Sequence, residues 1–377
     1  MVLKQPQRST LKVHIAIGDA EFGRRGKKYR DLMAGEGLEG LLVSHLADVR
    51  YLCGFSGSNG MVLLLGDRGY FLTDFRYREQ SAHEVRGLKV VVYAAGLEDS
   101  LARLLEKRPE TRLGFDPASL FYAEVLLLRR RLKGIAVLRP VQGSLALLRA
   151  SKSRSEVKII RSAIRIAQEA FAEALGQVGE GTREAELAAA LDMAARKRGA
   201  EAPSFETIVA SGPRGAMVHA APSGRRLRGM TLVDWGVIYR GYCTDMTRTL
   251  AFGKIPAPLK KAHALVLEAQ QRALERIRPG TKARDVDKAA RDIIEEAGYG
   301  PAFGHGLGHG VGLEVHERPH VSRASRDVIE EGMVFTVEPG IYLPGVGGVR
   351  VEDMVLVTNR GAEVLTTLPR GLDPAEY

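Results

Sequence analysis

Two aspartates flank a predicted tight turn in a segment that is otherwise apolar. The stretch TLVDWGVIYRGYCTDMTRT (231–249) carries Asp234 before the Arg240–Gly241 turn and Asp245 after it. With the turn centred between Tyr239 and Arg240, the two carboxylates are equidistant from it and would lie directly opposite each other in a hairpin, with Cβ atoms about 5 Å apart. They would repel by roughly 3 kcal/mol at an effective dielectric of about 20. A shared proton, a basic neighbour or a cation must therefore compensate, unless this is a surface hairpin with solvated acids.

Imidazole groups cluster in the segment FGHGLGHGVGLEVHE (303–317). Three of the nine histidines, His305, His309 and His316, fall in this segment, among glycines that let backbone and ligand approach closely. The segment does not match GxGxxG, lacks GK[ST] and is not followed by a predicted helix, which disfavours a nucleotide loop. Clustered imidazoles indicate a metal site or a proton-transfer site. Three unrelated surface histidines are the alternative.

Two glutamates lie in apolar strand-like sequence further along the chain. Glu338 ends the strand pattern in MVFTVEPG, and Glu352 lies within VRVEDMVLV. The sequence between them is rich in glycine and proline, so the two segments are predicted to pair. A buried glutamate is costly unless it is paired or bound to a metal. Glu338 could instead be only a strand terminus, and Glu352 could pair with Arg350, two residues before it.

The candidate donors in these segments are the four carboxylates of Asp234, Asp245, Glu338 and Glu352 and at least one imidazole, and no cysteine is among them. Oxygen donors with one nitrogen suit divalent ions of the Mn²⁺ or Co²⁺ type better than a structural zinc. Two such ions about 3.5–4 Å apart can activate water for hydrolysis. The residue types therefore indicate a metal-dependent hydrolase.

The elements that must position these residues fall into two groups. In the first third of the chain, predicted strands alternate with helices, which is typical of an α/β domain. The predicted strands are 37–44, 50–57, 61–66, 69–74, 88–94, 112–117 and 134–141, and the predicted helices are 98–108 and 119–132. Later helices are predicted from Ser153 to Ala174, from an N-cap at Thr182 to Arg198, and over 258–277 and 283–297. They lead into glycine-punctuated strands, an α+β pattern. We therefore predict an α/β N-terminal domain over 1–147 and an α+β catalytic domain over 148–377.

Composition narrows the function classes. Hydrophobic residues make up 45% of the 377 and charged residues 27%, as in soluble globular proteins, and no apolar run is long enough to span a membrane. The net charge of +10 comes from scattered basic residues, which argues against a nucleic-acid partner. Two cysteines and no secretory signal in the first 20 residues predict a reducing, cytoplasmic location.

At this point the sequence resembles a known family: the proline-specific metallopeptidases with the creatinase/aminopeptidase "pita-bread" fold, which include aminopeptidase P and prolidase. The likeness covers residues from about 25 to 368. It rests on GLLVSHLADVRYLCGFSGSNGMVLLL in the N-terminal part and on the motifs MVHAAPSG, VDWGVIYRGYCTDMTRT, HGLGHGVGLEVHE, VEPGIY and VRVEDMVLV.

The resemblance implies two divalent metal ions, with Mn²⁺ favoured and Co²⁺ or Zn²⁺ as alternatives. The implied metal ligands are Asp234, Asp245, His309, Glu338 and Glu352. The implied catalytic residues are His219, His316 and Glu338, with Glu338 as general base. His305 would line the prolyl site, Arg350 would orient Glu352 or meet a substrate carboxylate, and Tyr342 would support the site from behind.

The resemblance also implies the substrate: a peptide with proline at its second position, cleaved before the proline. We favour an Xaa-Pro aminopeptidase, because the N-terminal domain is compact and long insertions are absent, with an Xaa-Pro dipeptidase (prolidase) as the alternative. Methionine aminopeptidases lack such an N-terminal domain, and creatinase lacks the metal ligands. Non-catalytic relatives, such as histone-chaperone subunits, have lost these ligands. A homodimer is expected from the family alone.

Overall fold

The computed structural model describes residues 17–94, 96–108, 110–141, 144–179 and 181–377. The first 16 residues, which include most of the segment searched for a secretory signal, lie outside the described part. Among the described residues, no helix is both long and apolar enough to cross a membrane.

The N-terminal part is a mixed sheet with helices on both faces. Its helices are α1 (Asp19–Gly35), α2 (Leu46–Cys53), α3 (Arg78–Glu84), α4 (Leu97–Leu105), α5 (Tyr122–Arg131) and α6 (Ser144–Leu147). Its strands are β1 (Gly40–Val43), β2 (Met61–Leu65), β3 (Arg68–Thr73), β4 (Lys89–Val92), β5 (Thr111–Phe115) and β6 (Ala136–Pro140), in the sheet order β4–β3–β2–β1–β5–β6. Strand β1 is antiparallel to β2 and parallel to β5. Successive side chains of β1 point to opposite faces: Leu41 packs with Tyr29 of α1, and Leu42 packs with Leu101 of α4.

One predicted strand is wrong. The segment 50–57 was predicted to be a strand, but helix α2 covers Leu46–Cys53 and ends at Gly54, whose φ of 82° is left-handed. Val49, Leu52 and Cys53 are buried at helical spacing on one side of α2. A short apolar run does not separate a strand from a buried helix by periodicity alone.

The C-terminal part contains two pairs of helices around several small sheets. The helices are α7 (Arg154–Leu175), α8 (Glu184–Lys197), α9 (Ala257–Arg276) and α10 (Ala283–Glu296). The strands are β7 (Ala202–Pro203), β8 (Ile208–Ser211), β9 (Gly229–Trp235), β10 (Val237–Tyr239), β11 (Tyr242–Cys243), β12 (Met246–Phe252), β13 (Gly308–Gly310), β14 (Glu317–Val321), β15 (Val334–Val337), β16 (Gly340–Leu343), β17 (Gly347–Arg350), β18 (Asp353–Thr358) and β19 (Gly361–Val364). Short 3₁₀ turns lie at Phe75–Tyr77, Gly212–Ala216, Gly300–Ala302 and Pro374–Glu376.

The strands lie between the two helix pairs. The sheet orders are β12–β9–β8, β11–β10–β7, β14–β13–β15–β18–β19 and β16–β17. Neighbouring residues of β15 serve different cores, because Val334 belongs to the apolar cluster that contains α7 and α8, and Phe335 to the cluster that contains α9 and α10. This arrangement encloses the polar residues at the strand ends between two packed layers.

The local signals at two helix starts had different outcomes. The capping box at Ser153 is confirmed, since the backbone N–H of Glu156 donates to Ser153 Oγ and the Glu156 carboxylate accepts from the backbone N–H of Ser153. The N-cap of α8 is Arg183, not Thr182. Glu186 lies three residues after Arg183 and its carboxylate accepts from the backbone N–H of Arg183 at 2.8 Å, so the acidic partner fixes the start one residue later.

Candidate metal centre

The hairpin that carries the two aspartates has a different register from the predicted one. Strands β9 and β12 pair Asp234 with Thr247, so Asp245 is not directly opposite Asp234. The turn residues Arg240 and Gly241 have φ values of 52° and 80°, as in the two-residue turns that best match strand twist. This turn shifts the pairing by two residues. Because strand side chains alternate, Asp245 still shares a face with Asp234.

The carboxylates and His309 converge on one cavity. Ligand atoms of Asp245, His309 and Glu352 all lie within 4.8 Å of one another. The Nε2 atom of His309 is 3.4 Å from a carboxylate oxygen of Asp245 and 3.4 Å from one of Glu338. With Asp234, these residues line a cavity of about 440 Å³. The structure therefore brings together all five residues that the resemblance implied as metal ligands.

Asp234 occupies a distinct position in this group because it already has a counter-charge. Its Oδ2 atom lies 2.6 Å from Nη2 of Arg350. Its other oxygen, Oδ1, is buried and has no hydrogen-bond partner among the described residues. An orphaned carboxylate oxygen inside a protein is costly, and a cation in the cavity would satisfy it.

Burial and mutual repulsion perturb the acids of the cluster. Burial, and then the neighbouring carboxylates, raise the pKa of Asp245 and of Glu352 well above their usual range. Burial raises the pKa of Glu338 to about 7, with Asp234 adding to the rise and Arg350 opposing it. Burial, and then His316, lower the pKa of His309 to about 4, so its imidazole is neutral at pH 7 and keeps a lone pair for a ligand.

Both glutamates lie where the strand pairing is interrupted. The pairing of β15 with β18 ends at Val337–Asp353, and the pairing of β16 with β17 resumes at Gly340–Arg350. In this gap, Glu338 donates its backbone N–H to Leu307 at 2.8 Å, and Glu352 donates its backbone N–H to Thr247 at 3.1 Å. Both glutamates therefore lie just outside the strands: Glu338, predicted at a strand end, follows the last residue of β15, and Glu352, predicted within a strand, precedes the first residue of β18.

The sequence suggested Glu352 as a partner for Arg350, but in the structure Arg350 contacts Asp234. Its side chain is 3% exposed. Besides Asp234, it donates to the hydroxyl of Tyr342 at 2.8 Å and to Oγ1 of Thr247 at 3.0 Å. Thr247 in turn donates to Glu352 at 2.7 Å, so Arg350 reaches Glu352 through one hydroxyl group.

The remaining histidines surround the cavity at different depths. His219 and His316 are exposed and line it, and the ring centroid of His316 is 4.3 Å from that of His309. His305 also lines the cavity, and its Nε2 is 2.9 Å from the hydroxyl of Tyr342. Tyr342 is buried behind the lining. All the residues named from the sequence therefore lie in or against one cavity.

Some residues of the site were not found from the sequence. Thr336 donates to Glu338 at 3.2 Å and accepts from the backbone of His309 at 3.1 Å. Thr247 lies two residues after Asp245, and strand periodicity could have placed it on the same face. Phe205 and Glu206 line the cavity from the loop before β8, and no signal in that segment pointed to them.

A buried arginine connects the start of helix α2 to the loop that carries His316. Arg149 contacts Asp48 at 2.6 Å, Glu314 at 2.5 Å and Glu317 at 3.2 Å. His45 adds contacts to Asp48 at 3.0 Å and to Glu314 at 3.1 Å. The two glutamates flank His316, so this ion-pair network holds the histidine loop against the start of helix α2.

Comparisons with known proteins agree with this architecture. Residues 158–359 match the family described as metallopeptidase family M24, and residues 25–151 match the creatinase/prolidase N-terminal domain. The Xaa-Pro dipeptidase of Pyrococcus horikoshii is 37% identical over 92% of this chain and 97% of its own length. The structure of an Xaa-Pro dipeptidase from Bacillus anthracis is 38% identical and has a TM-score of 0.89, over 93% of this chain and 99% of its own.

An X-Pro aminopeptidase from Thermotoga maritima is also similar. Its structure is 36% identical and has a TM-score of 0.82, over 89% of this chain and 97% of its own. These matches confirm the predicted fold class, an α/β N-terminal domain followed by a pita-bread catalytic domain. Together with the enclosed cluster of carboxylates and histidine, this fold defines a hydrolase of the metallopeptidase class. The chain belongs to metallopeptidase family M24.

Proposed function

We propose that the chain is an Xaa-Pro dipeptidase, which hydrolyses the bond before proline in dipeptides. This replaces the preference for an aminopeptidase that we drew from the sequence. Its main support is that relatives 37% and 38% identical, over nearly their whole length, are Xaa-Pro dipeptidases. A cavity of about 440 Å³ is also in the range of small-molecule sites.

The residues of the cavity fit a pair of divalent cations. We propose that Asp234, Asp245, His309, Glu338 and Glu352 hold them. Three observations support this: buried like charges, an orphaned oxygen on Asp234 and a neutral His309. Oxygen-rich donors of this kind suit Mn²⁺, Co²⁺ or Zn²⁺, with Mn²⁺ favoured. When bound, such ions would lower the pKa of a water molecule towards neutral pH and would place positive charge near the scissile carbonyl.

The chain's own residues then handle the proton and the developing charge. Thr336 orients the Glu338 carboxylate, which accepts a proton from the attacking water and returns it to the prolyl nitrogen. That nitrogen has no hydrogen of its own in the peptide, so it must gain a proton to leave. His316 and His219, exposed at the cavity wall, donate hydrogen bonds to the carbonyl oxygen as it becomes negative.

Arg350 and His305 serve the rest of the substrate in this proposal. The Arg350 guanidinium is a buried positive charge beside the cavity and favours a substrate carboxylate nearby. His305 presents a ring held by Tyr342, and the burial that lowers the pKa of His305 to about 4 keeps that ring uncharged against a prolyl ring.

The test compares Ala-Pro with Ala-Pro-Ala as substrates, in Mn²⁺ after removal of bound metal with a chelator. A dipeptidase cleaves Ala-Pro and leaves Ala-Pro-Ala intact. Cleavage of Ala-Pro-Ala with comparable kcat/KM would instead establish the aminopeptidase, which the similarity to the Thermotoga maritima enzyme favours. Ala-Gly, which lacks proline, is the control for proline specificity.

Several further proposals come from the sequence and from the family resemblance. They are a homodimer, a cytoplasmic location, the absence of a nucleic-acid partner and a domain boundary between residues 147 and 148. Sedimentation at working concentration tests the dimer. Metal analysis of protein purified without chelator tests the favoured Mn²⁺.

A further inference from the structure

A buried glutamine lies behind the metal centre, on helix α9. Gln270 is 1% exposed and is surrounded along the helix by the buried apolar residues Val266, Ala273 and Leu274. Its Nε2 atom donates to the backbone carbonyl of Val337 at 3.0 Å and to that of Val351 at 3.2 Å. Since both partners are acceptors, only the NH₂ end of the amide can serve them, and this fixes the orientation of the side chain.

The two carbonyls belong to the peptide groups that immediately precede the two glutamates. The Val337 carbonyl and the Glu338 N–H are parts of one peptide group, and the Val351 carbonyl and the Glu352 N–H are parts of another. The N–H ends are bound by Leu307 and Thr247. Each peptide group is therefore held on both sides, by a neighbouring strand or loop at its N–H and by Gln270 at its carbonyl.

This double attachment lies where the sheet offers no regular pairing. Residues 338–339 and 351–352 fall between the paired strands, and Pro339 has no backbone N–H to contribute. A buried amide in apolar surroundings is costly unless it makes hydrogen bonds. Here a single side chain bonds both strand ends at the point where each presents a glutamate to the cavity.

We propose that Gln270 is a positioning residue for the metal centre, which sets the spacing of Glu338 and Glu352 through their peptide groups. The inference rests on the proposed metal-binding function. It assigns Gln270 no contact with metal or substrate. Groups that orient metal ligands from outside typically change metal affinity by about 10–100-fold when they are removed.

The experiment measures Mn²⁺ binding by calorimetry on chelator-treated full-length protein, for the wild type, Gln270→Met, Gln270→Asn and Gln271→Met. Methionine has a similar length and no donor, and asparagine is too short to reach both carbonyls. Gln271 is the matched control, because it is the next residue on α9 and is exposed, and its amide donates to Glu275 at 3.0 Å.

We expect about tenfold weaker Mn²⁺ binding in both Gln270 variants and wild-type binding in Gln271→Met. The Mn²⁺ concentration for half-maximal hydrolysis should rise by a similar factor, while KM for the peptide at saturating Mn²⁺ stays unchanged. A merely structural role would lower the melting temperature without moving the Mn²⁺ affinity of the folded protein.

Three results separate the possibilities. Mn²⁺ affinity in Gln270→Met equal to that of Gln271→Met overturns the positioning role and leaves the proposed function intact. Failure of both Gln270 variants to fold assigns the residue to the fold and also overturns it. If the wild type binds no Mn²⁺, the proposed metal centre fails, and this inference fails with it.

Discussion

The guanidinium of Arg350 lies 2.6 Å from the carboxylate of Asp234, and this contact divides the acidic cluster into two parts. Asp234 is neutralised on one of its oxygens by a fixed positive charge. Asp245 and Glu352 instead face each other and a neutral imidazole within 4.8 Å. The need for added positive charge is therefore greatest at the Asp245 side of the cavity.

Replacing Asp245 with asparagine should separate metal binding from folding. The variant keeps the shape of the side chain and removes one of the mutually repelling charges, so the metal-free chain should melt at a higher temperature than the metal-free wild type. Mn²⁺ content and peptide hydrolysis should be lost together. Thermal melts, metal analysis and an Ala-Pro assay check these outcomes, with the exposed Asp31→Asn as control. Wild-type turnover in Asp245→Asn would refute the site.

Adding Mn²⁺ to the chelator-treated wild type should stabilise the folded chain. A ligand at 100 times its dissociation constant adds about 2.7 kcal/mol to the free energy of unfolding. Urea unfolding with and without Mn²⁺ measures the difference, and Asp245→Asn should show little or none. Equal unfolding curves for the wild type in both conditions would argue against a metal centre in the folded state.

His316→Ala should lower turnover without lowering metal content. His316 lies beside His309 at a ring distance of 4.3 Å but is exposed, and we assign it a hydrogen bond to the substrate carbonyl. Loss of one such donor typically lowers kcat by about 10²–10³-fold. Steady-state kinetics and metal analysis check the two quantities, with the exposed His83→Ala as control. Metal loss in proportion to activity would make His316 a ligand instead.

Arg149→Met should destabilise the whole chain. Arg149 is 3% exposed and faces Asp48 and Glu317, which are both buried, so its removal takes a buried counter-charge from each of these carboxylates. Breaking a buried pair in this way costs about 3–5 kcal/mol. Arg161→Met, which breaks the exposed pair with Glu363, should cost less than about 1 kcal/mol. Denaturant unfolding of both variants tests the contrast, and equal losses would contradict it.

His45→Gln should remove a pH-dependent part of the stability. Hydrogen bonds to Asp48 and Glu314 raise the pKa of His45 to about 10 from a usual value near 6.5. A raised pKa means that the folded chain holds the proton more tightly. The stabilisation is therefore complete below about pH 6.5 and is lost as the pH rises towards 10.

Thermal melts of the wild type and His45→Gln at several pH values test this. The wild type should melt at a higher temperature near pH 6, and the difference should shrink steadily up to pH 10. A difference that is constant with pH would show that His45 acts through packing rather than through its charge.

Much of the site could be predicted because its residue types are costly in apolar sequence. Asp234, Asp245, Glu338 and Glu352 each interrupt a strand-like run, and burial of such groups needs a partner. The glycine-flanked His309 added a nitrogen donor. The structure places these five residues around one cavity. Helices α7 to α10 were also predictable, because their apolar residues recur over many turns.

The local sequence pattern was insufficient to predict the structure where the same residues fit more than one secondary structure or register. The second half of helix α2 was predicted as part of a strand over 50–57, because eight residues give too few repeats to separate the two periods. The hairpin register depended on which two residues form the turn with positive φ. In the structure these are Arg240 and Gly241, so Asp234 lies opposite Thr247 and not opposite Asp245, two positions earlier.

The sequence by itself determined that carboxylates placed in apolar strands need a counter-charge, because an ionised carboxylate that is removed from water is costly unless it is paired. Only the tertiary structure decided how that need is met. Arg350 comes to Asp234 from 116 positions away, and Gln270 comes to the peptide groups of both glutamates from another helix. Such contacts depend on how helices pack on strands, and no short stretch of sequence encodes that packing.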